Sequence, residues 1–198
     1  MMNYQIFNDP FPHLIIEETF DNVECDLIWR ELSFLLNKLH SPERYYAAKN
    51  EDGSYMTNAK GMSLDDLYQG DNRSVSDILT ILENKFFNNS QLDKDLIESN
   101  EYWNTFQKAN RDFTKIRRYV PGDDYSPHRD HWVHALISTT FCNEEDDGGN
   151  LYFPRHDYEF ETRNNKTIMF PGWVEHAVTN VIKNERYAIT KFCTCTSL

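Results

Sequence analysis

The chain has 198 residues, 39% hydrophobic, 26% charged and 14% aromatic, which is enough apolar content for a sizeable core in one domain and too much for a disordered chain. Acidic residues outnumber lysine plus arginine by 32 to 20, a net charge of −12, which argues against non-specific nucleic-acid or anionic-membrane binding because both need a cationic face. No apolar run approaches the roughly 18–20 residues of a membrane span, and the opening MMNYQIFNDPFPHLII lacks the basic and apolar blocks of a signal peptide.

In sequence order, Pro12 to Ile16 (PHLII) predicts a short buried strand. Asp21 stands three residues before Glu24, a capping-box start. Ile28, Leu32, Leu35, Leu36 and Leu39 then recur at helical spacing, which predicts a helix over 22–39. Residues 41–70 are polar and carry Pro42, Gly53 and Gly61. That length suits a lid or binding segment, or a solvated surface insertion. A second helix is predicted over 74–87, with Val75, Ile78, Leu79, Leu82 and Phe86 on its apolar side, followed by irregular or helical structure to Asp112.

From Thr114 the period changes. TKIRRYV, HALISTTFC, GNLYFP, KTIMFP, HAVTNVI and RYAITKFCTC read as short strands, separated by the turn-rich pieces PGDDYSP, NEEDDGG and PRHDYEFETRNN. Helices followed by closely spaced strands predict an α+β fold with a sandwich or barrel of the jelly-roll kind. One domain is expected, with 1–112 supporting a core at 113–198. The four cysteines, Cys25, Cys142, Cys193 and Cys195, are not spaced as a disulfide framework, so a reducing cytoplasm is the expected compartment. The Cys193-x-Cys195 pair lacks further soft ligands nearby and reads as free thiols.

Chemistry concentrates at His128, Asp130 and His176. In His128-x-Asp130 the i, i+2 spacing sends both side chains from one face of a strand. Two imidazoles and a carboxylate form the facial ligand set of non-haem Fe(II), and they also suit zinc. Arg186 follows His176 by ten residues and opens the last strand, where Arg186, Ala188, Thr190 and Phe192 share one face. A guanidinium beside small residues makes a slot for a small carboxylate. The opposite face, with Tyr187, Ile189, Lys191 and Cys193, suits packing against helices.

The ordered set Tyr119, Gly122, Tyr125, His128, Asp130, Gly148, Gly149, Leu151, Phe153, Phe170, Pro171, His176 and Arg186 resembles the Fe(II)- and 2-oxoglutarate-dependent dioxygenases, in particular their prolyl 4-hydroxylase-like branch. The resemblance implies a double-stranded β-helix (jelly-roll, cupin-like) core with N-terminal supporting helices. It implies Fe(II) on His128, Asp130 and His176, and 2-oxoglutarate on Arg186 with Tyr119 and Thr190 beside it. Tyr125 would be an active-site tyrosine near iron and substrate. O2 is the oxidant and ascorbate a candidate reductant.

The expected reaction is hydroxylation of an unactivated C–H bond, with release of succinate and CO2. A prolyl residue in a peptide or protein is the expected substrate, and a free amino acid or other small molecule the alternative. No nucleic-acid or membrane partner is expected. Where the branch places a hydroxyl residue against 2-oxoglutarate, Ile137 aligns, with Thr139 and Thr140 further along. His131 and His134 lack a carboxylate two residues later, and Asp130 excludes a halogenase, which needs a small residue there. Two other classes stay open: a non-catalytic jelly-roll binding module, and a zinc hydrolase using Glu175 as base.

Overall fold

The computed structural model describes residues 2–144 and 148–195. Strand β1 (Tyr4–Phe7) pairs antiparallel with β2 (His13–Ile16), the strand expected at PHLII. Helix α1 (Asn22–Leu35) starts at the expected capping box. The Asp21 carboxylate accepts from the Glu24 N–H, and the Glu24 carboxylate accepts from the Asp21 N–H, each at 2.9 Å. Its last turn tightens into a 3₁₀ segment over Leu36–Lys38, so Leu39 lies beyond the helix.

Residues 41–70 are not a plain insertion. Strand β3 (Lys60–Ser63) and the short helix α2 (Leu64–Leu67) lie within them, and Ala59 and Leu64 are fully buried. Helix α3 (Asp77–Phe86) begins three residues later than the apolar spacing predicts. The Ser76 hydroxyl accepts from the Leu79 N–H and sets the start there. Val75 therefore falls in a 3₁₀ turn and is 70% exposed, not on the apolar face. Helices α4 (Ser90–Ser99) and α5 (Asn104–Gln107) fill the stretch before the next strand.

The strands that follow are β4 (Arg111–Tyr119), β5 (Tyr125–His128), β6 (Ala135–Cys142), β7 (Leu151–Phe153), β8 (Tyr158–Phe160), β9 (Lys166–Pro171), β10 (His176–Val178) and β11 (Arg186–Thr194). β5 and β8 lie in pieces whose composition reads as turn. Both are short, and the turn residues flanking them mask their alternation.

Two antiparallel sheets result, in the orders β1-β2-β9-β6-β11-β4-β3 and β5-β10-β7-β8. Period-two alternation assigns the faces of the larger sheet. Ile137, Ile189, Tyr187 and Cys193 pack outward into one core with Ile28, Leu32, Ile78, Leu82 and Leu96 of the helices. Leu136, Ile168, Phe170 and Phe192 point inward and meet Leu151, Phe153 and Phe160 of the smaller sheet. Lys191 is fully buried on the helix-covered side, where Asp112 and Glu83 pair with it. All four cysteines are free thiols, and among the described residues no helix is long and apolar enough to cross a membrane.

Candidate active site

Strands β5 and β10 pair so that His128 stands directly opposite His176. Both imidazoles therefore leave the same face, with ring centroids 4.3 Å apart. Asp130 lies two residues beyond β5's partnered histidine. Its N–H donates to the Gly172 carbonyl at 2.9 Å, and its own carbonyl accepts from Val133 N–H at 2.9 Å. The His176 Nε2 to Asp130 Oδ2 distance is 3.6 Å. One ligand atom from each of the three residues falls within 4.8 Å of the others.

Each histidine is oriented from behind. His128 Nδ1 lies 2.9 Å from the Ser126 carbonyl, and His176 Nδ1 lies 2.9 Å from the Val174 carbonyl. A carbonyl only accepts, so Nδ1 carries the proton and Nε2 keeps its lone pair toward Asp130. Burial holds both rings neutral. His128 is pushed down to about 2, by desolvation first and then by His176. His176 is also lowered by desolvation, against the opposing pull of Asp130. Two neutral imidazoles and a carboxylate, anchored through their far nitrogens, fit a divalent metal with open coordination positions.

The triad opens into a cavity lined also by Tyr119, Tyr125, Arg186, Ala188, Thr190 and Phe192. Arg186 is 4% exposed. Its Nη1 donates to the Thr140 hydroxyl at 3.3 Å, and its guanidinium stands 4.8 Å from the Tyr119 ring centre. Thr190 is buried and 3.3 Å from the Ser138 hydroxyl. The Tyr125 ring lies 4.2 Å from the His128 ring, and its phenol oxygen accepts from Ala48 N–H at 3.2 Å. A cationic end, several hydroxyls and a three-donor metal set in one cavity fit a keto-dicarboxylate bound beside a metal.

Some expected residues lie elsewhere. Ile137 packs into the helix-covered core, and Ser138 and Thr140 are the hydroxyls that line the cavity. A slip of one residue in a strand exchanges its faces, which is the source of the Ile137 misplacement. Glu175 is paired with Arg129 at 3.7 Å and Arg155 at 3.3 Å, so it is not poised as a base. His131 and His134 are outside the metal cluster. Arg117 was not singled out in the sequence, yet it lines the cavity and is 8% exposed. The usable signal was parity: it sits two residues before Tyr119 and shares its face.

Residues 114–194 match the family model described as 2OG-Fe(II) oxygenase superfamily. The matched stretch runs from β4 to β11 and carries this chain's similarity to that superfamily. The match supports a 2-oxoglutarate-dependent dioxygenase, and the superfamily implies Fe(II) and 2-oxoglutarate. In fold this oxygenase resembles the viral collagen prolyl hydroxylase of Paramecium bursaria Chlorella virus 1, solved as its 2OG complex, with 13% identity, TM-score 0.56 and coverage of 93% of this chain and 96% of that one. It also resembles a Pseudomonas putida prolyl-4-hydroxylase, with 15% identity, TM-score 0.56 and coverage of 99% and 93%. A Phytophthora capsici prolyl 4-hydroxylase aligns at 14% identity and TM-score 0.60, over 93% of this oxygenase and 59% of that chain. No curated protein sequence matches it.

Proposed function

We propose that this oxygenase hydroxylates an unactivated C–H bond of a prolyl residue in a peptide or protein, with release of succinate and CO2. In this reading His128, Asp130 and His176 hold Fe(II) on a double-stranded β-helix core, and Arg186 anchors the far carboxylate of 2-oxoglutarate. The observation that carries it is convergence: a three-donor cluster and a buried guanidinium share one cavity. The prolyl unit is favoured by the prolyl hydroxylases among the fold relatives.

Fe(II) with 2-oxoglutarate and O2 supplies the oxidative decarboxylation that drives hydroxylation. The protein's part is placement. Ser126 and Val174 carbonyls fix the imidazole tautomers. Thr140 and the Tyr119 face hold the Arg186 fork toward the cavity, while Leu136, Ile168, Phe170 and Phe192 keep its walls apolar and limit water.

Anaerobic titration of the metal-free protein with Fe(II) and then 2-oxoglutarate tests the reading. Bidentate keto-acid chelation gives a weak visible charge-transfer band. Arg186→Gln is expected to retain the band but to need at least about tenfold more 2-oxoglutarate, the loss typical of a charge-assisted bond. An unchanged requirement removes Arg186 as the anchor, and absence of any band in the wild type removes the co-substrate.

Gly149 offers a second handle. Its φ is +69°, and a Cβ there would lie 2.4 Å from Arg186 Nε and 2.8 Å from Val181. Gly149→Ala therefore displaces the guanidinium, and the concentration of 2-oxoglutarate giving half-maximal succinate release is expected to rise about tenfold or more, since a misplacement near 1 Å can cost about a hundredfold. A change below twofold would mean that the Arg186 position is not critical.

A free amino acid or other small molecule is a second reading. It is favoured by one observation, the buried Arg117 in the cavity wall.

A further inference from the structure

Strand β4 presents Lys115, Arg117 and Tyr119 on one face by period-two alternation. Arg117 is opposite Ala188 of β11, the small residue on the same face as Arg186. The cavity thus contains two arginines, and 2-oxoglutarate has one far carboxylate to offer.

Arg117 is hydrogen-bonded to the Tyr45 phenol but has no acidic side chain paired with it among the described residues. It is 8% exposed, and its Nε has no hydrogen-bond partner. Among the described residues it forms no ion pair. The groups acting on its charge are the phenols of Tyr125, Tyr119 and Tyr45, followed by Asp130. Phenols do not neutralise a guanidinium, and Asp130 belongs to the metal cluster. Its guanidinium carbon stands 5.2 Å from the Tyr125 ring centre, 5.9 Å from Tyr45 and 6.0 Å from Phe192. A buried cation without a counter-ion is costly unless a ligand supplies one. The other cation on that face, Lys115, lies over Phe113 and Phe192 at 5.7 Å from each ring.

We propose that Arg117 receives a carboxylate of the substrate, so that the unit being hydroxylated carries a free carboxyl group close to the reacting carbon. The stacking sequence sets the scale: Arg117 packs on Tyr125, and Tyr125 packs on His128. An anion on Arg117 would sit beside the Tyr125 ring that flanks the metal cluster. A prolyl or other residue at the C-terminal end of a peptide and a free amino acid share this chemistry. The inference rests on the oxygenase reading and narrows its substrate.

The test uses protein loaded with Mn(II) and 2-oxoglutarate under anaerobic conditions. Calorimetry measures binding of the L-amino acids as free acids, as C-terminal amides, and as N-acetyl acids. At least one acid is expected to bind about tenfold or more tightly than its amide. That preference is lost in Arg117→Gln and kept in Arg117→Lys, while 2-oxoglutarate affinity in both variants stays within about twofold of wild type. Binding of N-acetyl acids as well as free acids assigns a peptide terminus, and binding of free acids alone assigns a small molecule. The proposal is overturned if no acid is preferred over its amide, including the case where none binds. It is equally overturned if Arg117→Gln weakens 2-oxoglutarate as Arg186→Gln does, because Arg117 would then serve the co-substrate. Failure of the oxygenase reading shows separately, as a missing Fe(II)–2-oxoglutarate band in the wild type.

Discussion

His176→Ala is expected to abolish Fe(II)-dependent succinate release, with a loss of more than about a hundredfold. Loss of a group one bond behind a metal ligand already costs about 10–100-fold, and His176 is itself one of the three donors in the cluster. The residue is 6% exposed and directly opposite His128 in the β5–β10 register. The remaining His128 and Asp130 would give a two-donor site with much weaker Fe(II) binding, measurable by metal titration independently of turnover. His131→Ala and Glu175→Gln serve as controls. His131 is exposed, and Glu175 is committed to Arg129 and Arg155. Both variants are expected to bind Fe(II) within about twofold of wild type. Retention of Fe(II) affinity in His176→Ala would overturn the triad.

The second large effect concerns stability. The Lys191 side chain has no exposure, and it meets Asp112 as its close partner, with Glu83 at 3.6 Å. Asp112 also pairs with Arg73, which keeps Asp65 as a second partner. Asp112→Ala leaves Lys191 buried against only the half-exposed Glu83. Breaking a buried pair in this way costs about 3–5 kcal/mol, equivalent to a fall in melting temperature of roughly 6–20 °C for a protein of this size. Lys191→Met removes the charge together with its desolvation penalty and is expected to be close to neutral. Adding Lys191→Met to Asp112→Ala should recover most of the loss. A double-mutant cycle by thermal and urea unfolding measures the coupling. Equal destabilisation by both single variants, with no recovery in the double, would show that Lys191 acts through packing of its stem.

The outcomes differ by element for physical reasons. The capping box at Asp21 and Glu24 is a local signal, and it predicted the start of α1 correctly. The triad was legible because i, i+2 spacing on a strand and a distant histidine are encoded by residue type alone. β5 was hidden because four residues between turns show little alternation. Ile137 aligns with the branch's hydroxyl position because a sequence does not mark which strand face is inward. The pairing of β6 with β11 resolves it, by setting Ser138 opposite Thr190. In KIRRYV the adjacent arginines read alike, whereas folding separates them: Arg118 meets Glu185 at the surface side and Arg117 turns into the cavity. Burial without a paired acid is a three-dimensional property and has no one-dimensional signature.

The segment around residues 48–57 has a mechanical consequence. It is stitched to β5 by the Ala48 N–H on the Tyr125 phenol, by Ser126 N–H on the Met56 carbonyl, and by the Thr57 hydroxyl on the Asp124 carbonyl. Ser126 is also the residue whose carbonyl orients His128. One dipeptide, Tyr125–Ser126, therefore bears the outer segment on one edge and the first histidine on the other. The segment works as a brace: peeling it away would slacken the peptide that aims His128, and the cavity wall and the metal cluster would loosen together.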